Sequence, residues 1–366
     1  MPQRALRAVL MRGGTSRGLF FHEADLPPPG EERDRVLLEA MGSPDPGQID
    51  GLGGATSSTS KIMIVRRSER PGCDVDYLFA QVAVDTPVVD YRGNCGNLTS
   101  AIAPFAIDEG LLGDIPDGRR AVTLANQNTE VLVEAALEVI GGRAAVKGDH
   151  HISGVLRPGS MIETRFLEPA GAVFDQLFPT DVRRDTIAFE GDAFDVSVVD
   201  VANPTIFVAA HDLGLRGDEA PSEVNGDLDL LGRLERLRGQ IAASLGMVED
   251  PADAVTVTPG LPTITMVSAP SDPAADLRVR VMSVQRLHHA SPMSALMCTA
   301  TAAAMDGTVV ADLVGNENGL LTVEHPKGLT TATADVVHGA TGPVVRSAGV
   351  ARTARRLMAG EVYVRA

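Results

Sequence analysis

The chain has 366 residues, 44% apolar and 22% charged, the balance of a globular protein long enough for two domains of ordinary size. A formal net charge of −16 excludes a nucleic-acid partner, which needs a basic face, and no apolar run approaches the ~18 residues of a membrane span. Three cysteines (Cys73, Cys95 and Cys298) are too few for a disulfide framework and, without an apolar leader, set the cytoplasm as the expected location.

In chain order the sequence runs through one plan twice. Residues 8–26 read AVLMRGGTSRGLFFHEADL and residues 197–213 read SVVDVANPTIFVAAHDL. Each is an apolar run, a polar or glycine-rich break, a second apolar run and an ending from His to Asp-Leu. A polar helical stretch follows in both, ERDRVLLEAMGSPD near residue 32 and LLGRLERLRGQIAASLGMVED near residue 230. Strand pairs come next, SKIMIVRRSE with DVDYLFAQVAVD and PTITMVSAPSD with DLRVRVMSVQ. Each half then reaches an apolar helix, 96–109 stopped by Gly110 and 291–306 stopped by Gly307. Ser291 is the expected N-cap of the second helix, with Pro292 at its first position. Pro104 is expected to kink or shorten the first helix.

The offset holds at about 190 residues, from Val9 and Val198 to Gly110 and Gly307, which marks a duplication. The expected fold is α+β, two similar domains, each a curved sheet wrapped on a buried helix. The expected bounds are 1–184 with 346–366, and 185–345. The closing VVRSAGVARTARRLMAGEVYVRA reads as strand, short turn, strand, with Arg352, Arg355 and Arg356 on a solvated face.

Three segments carry candidate chemistry. Met11 to Gly18, with three glycines, two hydroxyls and two arginines, is either a turn offering N–H groups to an anion or a glycine-rich hairpin. Gly51 to Lys61 resembles a phosphate loop, but the strand-like Ile62-Met63-Ile64-Val65 follows where a helix is required, so that reading fails. What remains is a lysine at the mouth of a buried strand after a run of five hydroxyl residues, Thr56 to Ser60. Gly93-Asn94-Cys95-Gly96-Asn97 sets a thiol at a helix N-terminus, where the dipole and free N–H groups favour thiolate and carboxylate alike.

Cys298, inside its helix, is the expected structural thiol, and Cys73 is incidental. Counting back from the two helix stops aligns Cys95 with Pro292, so the second half offers no second thiol and Lys61 becomes the partner group. The pairs His150-His151 and His288-His289 lack further ligands at metal-site spacing, so no metal is expected. His289, just before the second helix, is expected to line an inter-domain cleft, with Ser291 beside it.

These motifs together resemble the PrpF family of aconitate and methylaconitate isomerases, in the diaminopimelate-epimerase-like superfamily. The matching stretches are MRGGTSRGLFF, GGATSSTSK, VDYRGNCGNLTSAIAPFAIDEGLL, ANPTIFV and ARTARRLMAGEVYV, spread from one end to the other. The resemblance implies two barrel-like domains around central helices with the active site between them, and no metal, nicotinamide or pyridoxal cofactor. It implies Lys61 and Cys95 as catalytic residues, with Arg17 standing where Lys is expected in many members.

The family's substrates are small unsaturated polycarboxylates, with 2-methylaconitate cis–trans isomerisation as the leading expectation here. The alternatives are 4-oxalomesaconate tautomerisation, 3-methylitaconate Δ-isomerisation and, as another class, a non-catalytic polycarboxylate-binding protein. Such reactions need a base poised near neutrality, and a free Lys near ~10.4 must be shifted to serve. Ser16, Arg17, Ser60, Asn94, Gly96 and Asn97 are the expected polar contacts to substrate, with His289 and Ser291 from the second half. The expected partner is the small-molecule substrate alone, without nucleic acid or membrane. Assembly of the chain with copies of itself is left open.

Overall fold

The computed structural model describes residues 3–91, 95–315, 319–339 and 342–365. The chain opens with β1 (Gln3–Gly13), β2 (Ser16–His22), α1 (Glu31–Met41), β3 (Lys61–Arg67), β4 (Val75–Val82) and β5 (Val89–Asp90). Then come α2 (Gly96–Thr99), α3 (Ile102–Asp108), β6 (Gly118–Asn126), β7 (Leu132–Ile140), β8 (Arg143–Ala144) and β9 (Ile162–Leu167). The middle holds β10 (Asp185–Phe189), β11 (Asp192–Val201), β12 (Asn203–Ala209), α4 (Pro221–Gly226), α5 (Leu228–Ser244) and α6 (Ala254–Val257). The remainder is β13 (Thr263–Ser268), β14 (Leu277–Ser283), β15 (Arg286–Leu287), α7 (Met293–Ala303), β16 (Leu320–His325), β17 (Gly328–Gly339), β18 (Gly342–Arg352) and β19 (Ala354–Arg365).

Two compact units result, Met1–Phe166 with Ala351–Ala366, and Leu167–Val350. The first boundary falls earlier than the expected 184/185 because the intervening loop is laced to β11. Val173 and Phe174 donate their N–H groups to the Asp200 carboxylate at 2.7 and 2.8 Å, and Asp200 N–H donates to Leu177 O. The second falls later than 345/346 because Ser347 to Val350 still pair with β17.

In the first unit β1 pairs with β19 and β2 antiparallel, β2 with β3 parallel, β3 with β4 antiparallel, and β4 with β6 parallel. The second unit repeats these senses. β11 pairs β12 antiparallel, β12 pairs β13 parallel, β13 pairs β14 antiparallel, and β14 pairs β16 parallel. Even the His-to-Asp-Leu endings form matching 3-10 turns, Glu23–Asp25 and Ala210–Leu213. The order of elements and the sense of every corresponding pairing are those of a duplication.

Strand alternation divides each sheet into two faces. Leu19, Phe21, Ile62, Ile64, Ala80 and Val82 pack under Val36, Leu37, Ala40 and Met41 of α1. The other face meets α2 and α3, where Phe20 lies 5.5 Å from Phe105, centroid to centroid, and Ile102 to Ile107 are all buried. In the second unit α5 takes the place of α1, with Leu234, Leu237 and Ile241 on Val198, Ile206, Ile264 and Met266. α7 is the buried helix there.

Of the two buried helices, the first is interrupted as Pro104 leads one to expect and the second departs in its bounds. The first is broken at Ser100–Ala101, because Pro104 has no N–H to give the Ser100 carbonyl. Its end is as expected: Gly110 at φ +73 donates to Ile107 O and Leu111 to Ala106 O, a Schellman stop. The second helix starts later than expected. Pro292, still extended at ψ 145, is its N-cap, so Ser291 lies outside and caps nothing. It also stops sooner, at Ala304, and Gly307 belongs to the turn beyond.

The basic cluster near the C-terminus is not one solvated face. Arg352 is buried, which pushes its guanidinium down to about 10, and Arg356 pairs with Glu109. Only Arg355 of the three is exposed.

In the second unit Glu324 accepts from the N–H groups of Ser271 and Asp272, the Ser271 hydroxyl and Arg278 Nε. Burial pushes its carboxyl up, but these donors outweigh it and hold the group at about 2, against an ordinary 4.5. The folded value lies below the unfolded one, so the stabilisation is complete above 4.5 and is lost as pH falls through about 2. Acid titration of Glu324→Gln should therefore show a flatter loss of stability across that window than the parent chain.

Candidate active site

The site of the first unit is built on the β1–β2 hairpin. Ser16 pairs with Gly13, leaving Gly14 and Thr15 as a two-residue turn, with Gly14 at the positive φ of +52 that a type II′ turn needs first. α2 lies directly on it. A Cβ at Gly13 would come 2.6 Å from the Asn97 carbonyl oxygen, one at Gly14 would strike the Asn97 amide, and one at Gly18 would strike Lys61 O and Leu98. Gly14 N–H is already given to Thr353 O at 3.0 Å. Of the two readings of this segment, the hairpin holds: its glycines let a helix turn and a strand end approach.

Cys95 is the N-cap of α2 and 8% exposed. Its Sγ lies 3.9 Å from Ser16 Oγ, and its carbonyl accepts from Thr99 N–H at 2.9 Å and Thr99 Oγ1 at 3.1 Å. Thr99 Oγ1 is also 3.4 Å from the Tyr77 hydroxyl. Burial holds the Tyr77 phenol well above its ordinary range, so it stays neutral while bracing this turn. The long helix expected behind the thiol is absent, since α2 is a single turn of four residues.

Lys61 opens β3 on the face that carries α2, opposite Gln81 of β4. Its Nζ donates to Gln81 Oε1 at 2.5 Å and stands 5.0 Å from the centre of the Phe79 ring. Gln81 Nε2 in turn donates to Ser60 O at 2.8 Å, which fixes the amide's orientation. Gly18 lies between the Lys61 main chain and Leu98, so the lysine-bearing strand end and the cysteine-bearing turn converge on one glycine.

The remaining expected contacts divide. Asn97 stays in the site, donating from Nδ2 to Thr15 Oγ1 at 3.1 Å and accepting from Arg352 Nε at 3.2 Å. Gly96 is the first residue of α2, where a helix start leaves N–H groups without intrahelical acceptors. Arg17 lines a cleft beside the hairpin with Ser16. Ser60 does not reach the site. Alternation turns it to the α1 face, where it is fully buried, accepts from Gln48 Nε2 at 2.7 Å and donates to Val82 O at 2.8 Å. Asn94, like Arg92, lies outside the described residues.

His289 and Ser291 belong to the second unit, before α7. The His289 ring stacks on His288 at 4.5 Å, and burial, with His289 adding to it, lowers the His288 pKa. At the N-cap of α7, where α2 has Cys95, stands Pro292. The second unit has no thiol at that place. Cys298 is buried against the carbonyls of Val201 and Asn203, both at 3.1 Å, and burial pushes it up to about 12. Among the described residues no group of three or more His, Cys, Asp or Glu is placed to hold a metal ion.

Sequence reasoning missed Gln81, Phe79, Tyr77 and Arg352. The first three share the inner face of β4, with Gln81 directly opposite Lys61, a signal that pairing the two strands on paper would have yielded. Arg352 has no local signal, because it reaches Asn97 from 255 residues away.

Two tests follow from this packing. Gly13→Ala should cost about 2 kcal/mol through overpacking, read from urea midpoints, while Gly360→Ala, with open space at its Cβ, should stay within about 0.5 kcal/mol. Alkylation of the native protein followed by peptide mass spectrometry should label Cys95 well before Cys298. Labelling of Cys298 at the rate of Cys95 would contradict the burial described.

Comparison with known proteins gives the context for this geometry. The PrpF protein family matches residues 3–365. The chain is 40% identical to 3-methylitaconate isomerase of Eubacterium barkeri over 99% of this chain and 98% of that one. It is 37% identical to 2-methyl-aconitate isomerase of Shewanella oneidensis, again over 99% and 98%. A crystal structure of methylitaconate-delta-isomerase superposes with a TM-score of 0.91 at 38% identity, covering 100% and 96% of the two chains. A hydroxyproline epimerase from Agrobacterium vitis, 11% identical and covered over 99% and 94%, shares the fold at a TM-score of 0.54. The chain belongs to the PrpF family.

Proposed function

We propose that the chain is an isomerase that moves a proton on a small unsaturated polycarboxylic acid, with 2-methylaconitate as substrate and Lys61 and Cys95 as the proton-carrying pair. The observation that carries this reading is the convergence on Gly18. A lysine held by Gln81 over an aromatic face opens one strand, and the thiol at the N-cap of α2 stands within 3.9 Å of Ser16. Relatives named for 2-methyl-aconitate and 3-methylitaconate isomerisation support the substrate class.

The chemistry follows from what the substrate requires. One group of the pair removes a proton from the carbon adjoining the unsaturated unit, leaving an extended enolate whose charge spreads into a carboxylate. N–H groups at the start of α2, Gly96 and Asn97 among them, are donors suited to that charge. The other group returns a proton, after rotation about what was the double bond for cis–trans isomerisation, or at the far allylic carbon for a Δ-shift. Asn97, braced by Arg352 and Thr15, holds the turn in place during these steps. The proton leaves one carbon and returns to carbon, so the reading calls for no redox or group-transfer cofactor.

A second reading, 3-methylitaconate Δ-isomerisation, uses the same two residues and is favoured by the relative of that name at 40% identity. Amino-acid racemisation by paired thiols is disfavoured by Pro292 at the place that corresponds to Cys95.

Incubation with 2-methylaconitate, 3-methylitaconate and 4-oxalomesaconate in deuterated water should give deuterium uptake with product, fastest for 2-methylaconitate. Lys61→Ala should reduce turnover by roughly 10²–10⁴-fold or more while its urea midpoint stays near the parent's. Near-normal turnover in the folded variant would remove Lys61 from the mechanism. Binding without any proton exchange in the parent chain would leave a polycarboxylate-binding protein instead.

A further inference from the structure

One feature of the first unit takes no part in this mechanism. Across β19, β1 and β2 the register sets Arg355 opposite Arg12 and Arg12 opposite Arg17, three arginines in a row on one face. Like charges directly opposite one another in a sheet repel and destabilise it. The row floors a cleft of about 760 Å³ that is also lined by Lys147 and Arg157, with no Asp or Glu among its described lining residues.

Elsewhere in this chain of net charge −16 the arginines are mostly paired, as with Arg119 and Glu163 or Arg165 and Glu134. Here Arg17, Lys147, Arg157 and Arg355 have no ion pair among the described residues, and Arg17 Nε is buried without an acceptor. Arg12 is held rigid by Gly14 O, Thr353 O and Thr353 Oγ1.

The wall facing this row is a shaped loop. His150 and Gly159 exchange both main-chain hydrogen bonds, at 3.1 and 3.0 Å, and Ser160 N–H donates to Val146 O at 3.0 Å. That clasp carries Lys147 on one side and Arg157 on the other. Gly154 reaches the hairpin itself, where a Cβ would lie 3.3 Å from Thr15 Cγ2. Ser16, whose hydroxyl stands 3.9 Å from Cys95 Sγ, lines the same cleft and joins it to the candidate site.

We infer that this cleft is an anion subsite in which Arg17, Arg355, Lys147 and Arg157 take the carboxylate of the substrate that stands apart from the reacting atoms, so that tricarboxylates are selected over dicarboxylates. The inference rests on the isomerase reading for the place of the reacting atoms, but the anion site itself does not. A cavity of this size suits a small organic acid, and guanidinium groups match carboxylates in paired hydrogen bonds. The mutual repulsion of the arginine row is relieved when the anion binds, which makes the site a selective one for multivalent charge.

Calorimetric titration of the full chain with tricarballylate, a saturated tricarboxylate that cannot be turned over, tests this against glutarate and inorganic phosphate. Arg355→Gln and Arg157→Gln should each weaken tricarballylate binding about tenfold, the loss expected for one charged hydrogen-bond partner, and change glutarate binding by less than about twofold. Arg355→Lys should recover part of the loss. In low-salt buffer without these anions Arg355→Gln should raise Tm, because it removes a like charge from the row, so weaker binding with a lower Tm would signal damage and overturn the assignment. Unchanged tricarballylate affinity in both Gln variants, or phosphate binding as tightly as tricarballylate, would also overturn it. The two proposals fail separately. A chain that binds tricarballylate through these residues but exchanges no proton loses the isomerase reading and keeps the subsite, and a chain that isomerises with Gln variants of unaltered affinity does the reverse.

Discussion

The approach of one helix turn to one hairpin is the constraint on which the rest of the first unit depends. Gly13, Gly14 and Gly18 leave room for Asn97, Leu98 and the Lys61 main chain, and a Cβ would strike backbone at Gly13 and Gly18 and the Asn97 side chain at Gly14. That contact puts Cys95 beside Ser16 and brings the opening of β3 to the same place. The polar bonds around it are then consequences. Thr15 and Arg352 hold Asn97, and Thr99 holds the Cys95 carbonyl.

Much of this was legible in the sequence, for identifiable reasons. The duplication could be read because apolar alternation, glycine stops and the His-to-Asp-Leu endings all survive in both halves. Lys61 and Cys95 stood out because each lies at a junction between an irregular glycine-rich segment and a buried element. Ser60 was misplaced, since a run of hydroxyl residues says nothing about which face each presents until the first paired residue of β3 is known. The break in the first buried helix was expected from Pro104, but not its place. Pro104 announces a break, but the break falls four residues earlier, where the missing N–H leaves Ser100 O without a partner. Arg352 was beyond reach, because its partner lies far away along the chain.

The two halves also show what duplication leaves free to change. The strand pairings and buried helices are retained, while the N-cap position diverges from Cys95 to Pro292. The outer helices diverge as well: α1 has 11 residues and α5 has 17. Packing constrains the sheet and its inner helix, and the caps and outer elements are where chemistry could be gained or lost. One unit carries a thiol at the N-cap of its inner helix, and the corresponding helix of the other buries Cys298 within itself.

The pairing of β1 with β19, Gln3 opposite Arg365 and Gly13 opposite Ala354, has a consequence for how the protein is made. Every one of these contacts spans more than 300 residues of sequence, the costliest kind to close because the ends must meet across a long loop. During synthesis the second unit is complete before β19 exists, so it can fold while β1 still lacks its neighbour. Thr353, just before β19, accepts from Gly14 N–H and from Arg12, so the hairpin turn beside Cys95 is clamped only at that stage. The hairpin that carries Ser16 is thus made long before the strand that clamps it and is among the last parts of the unit to become rigid.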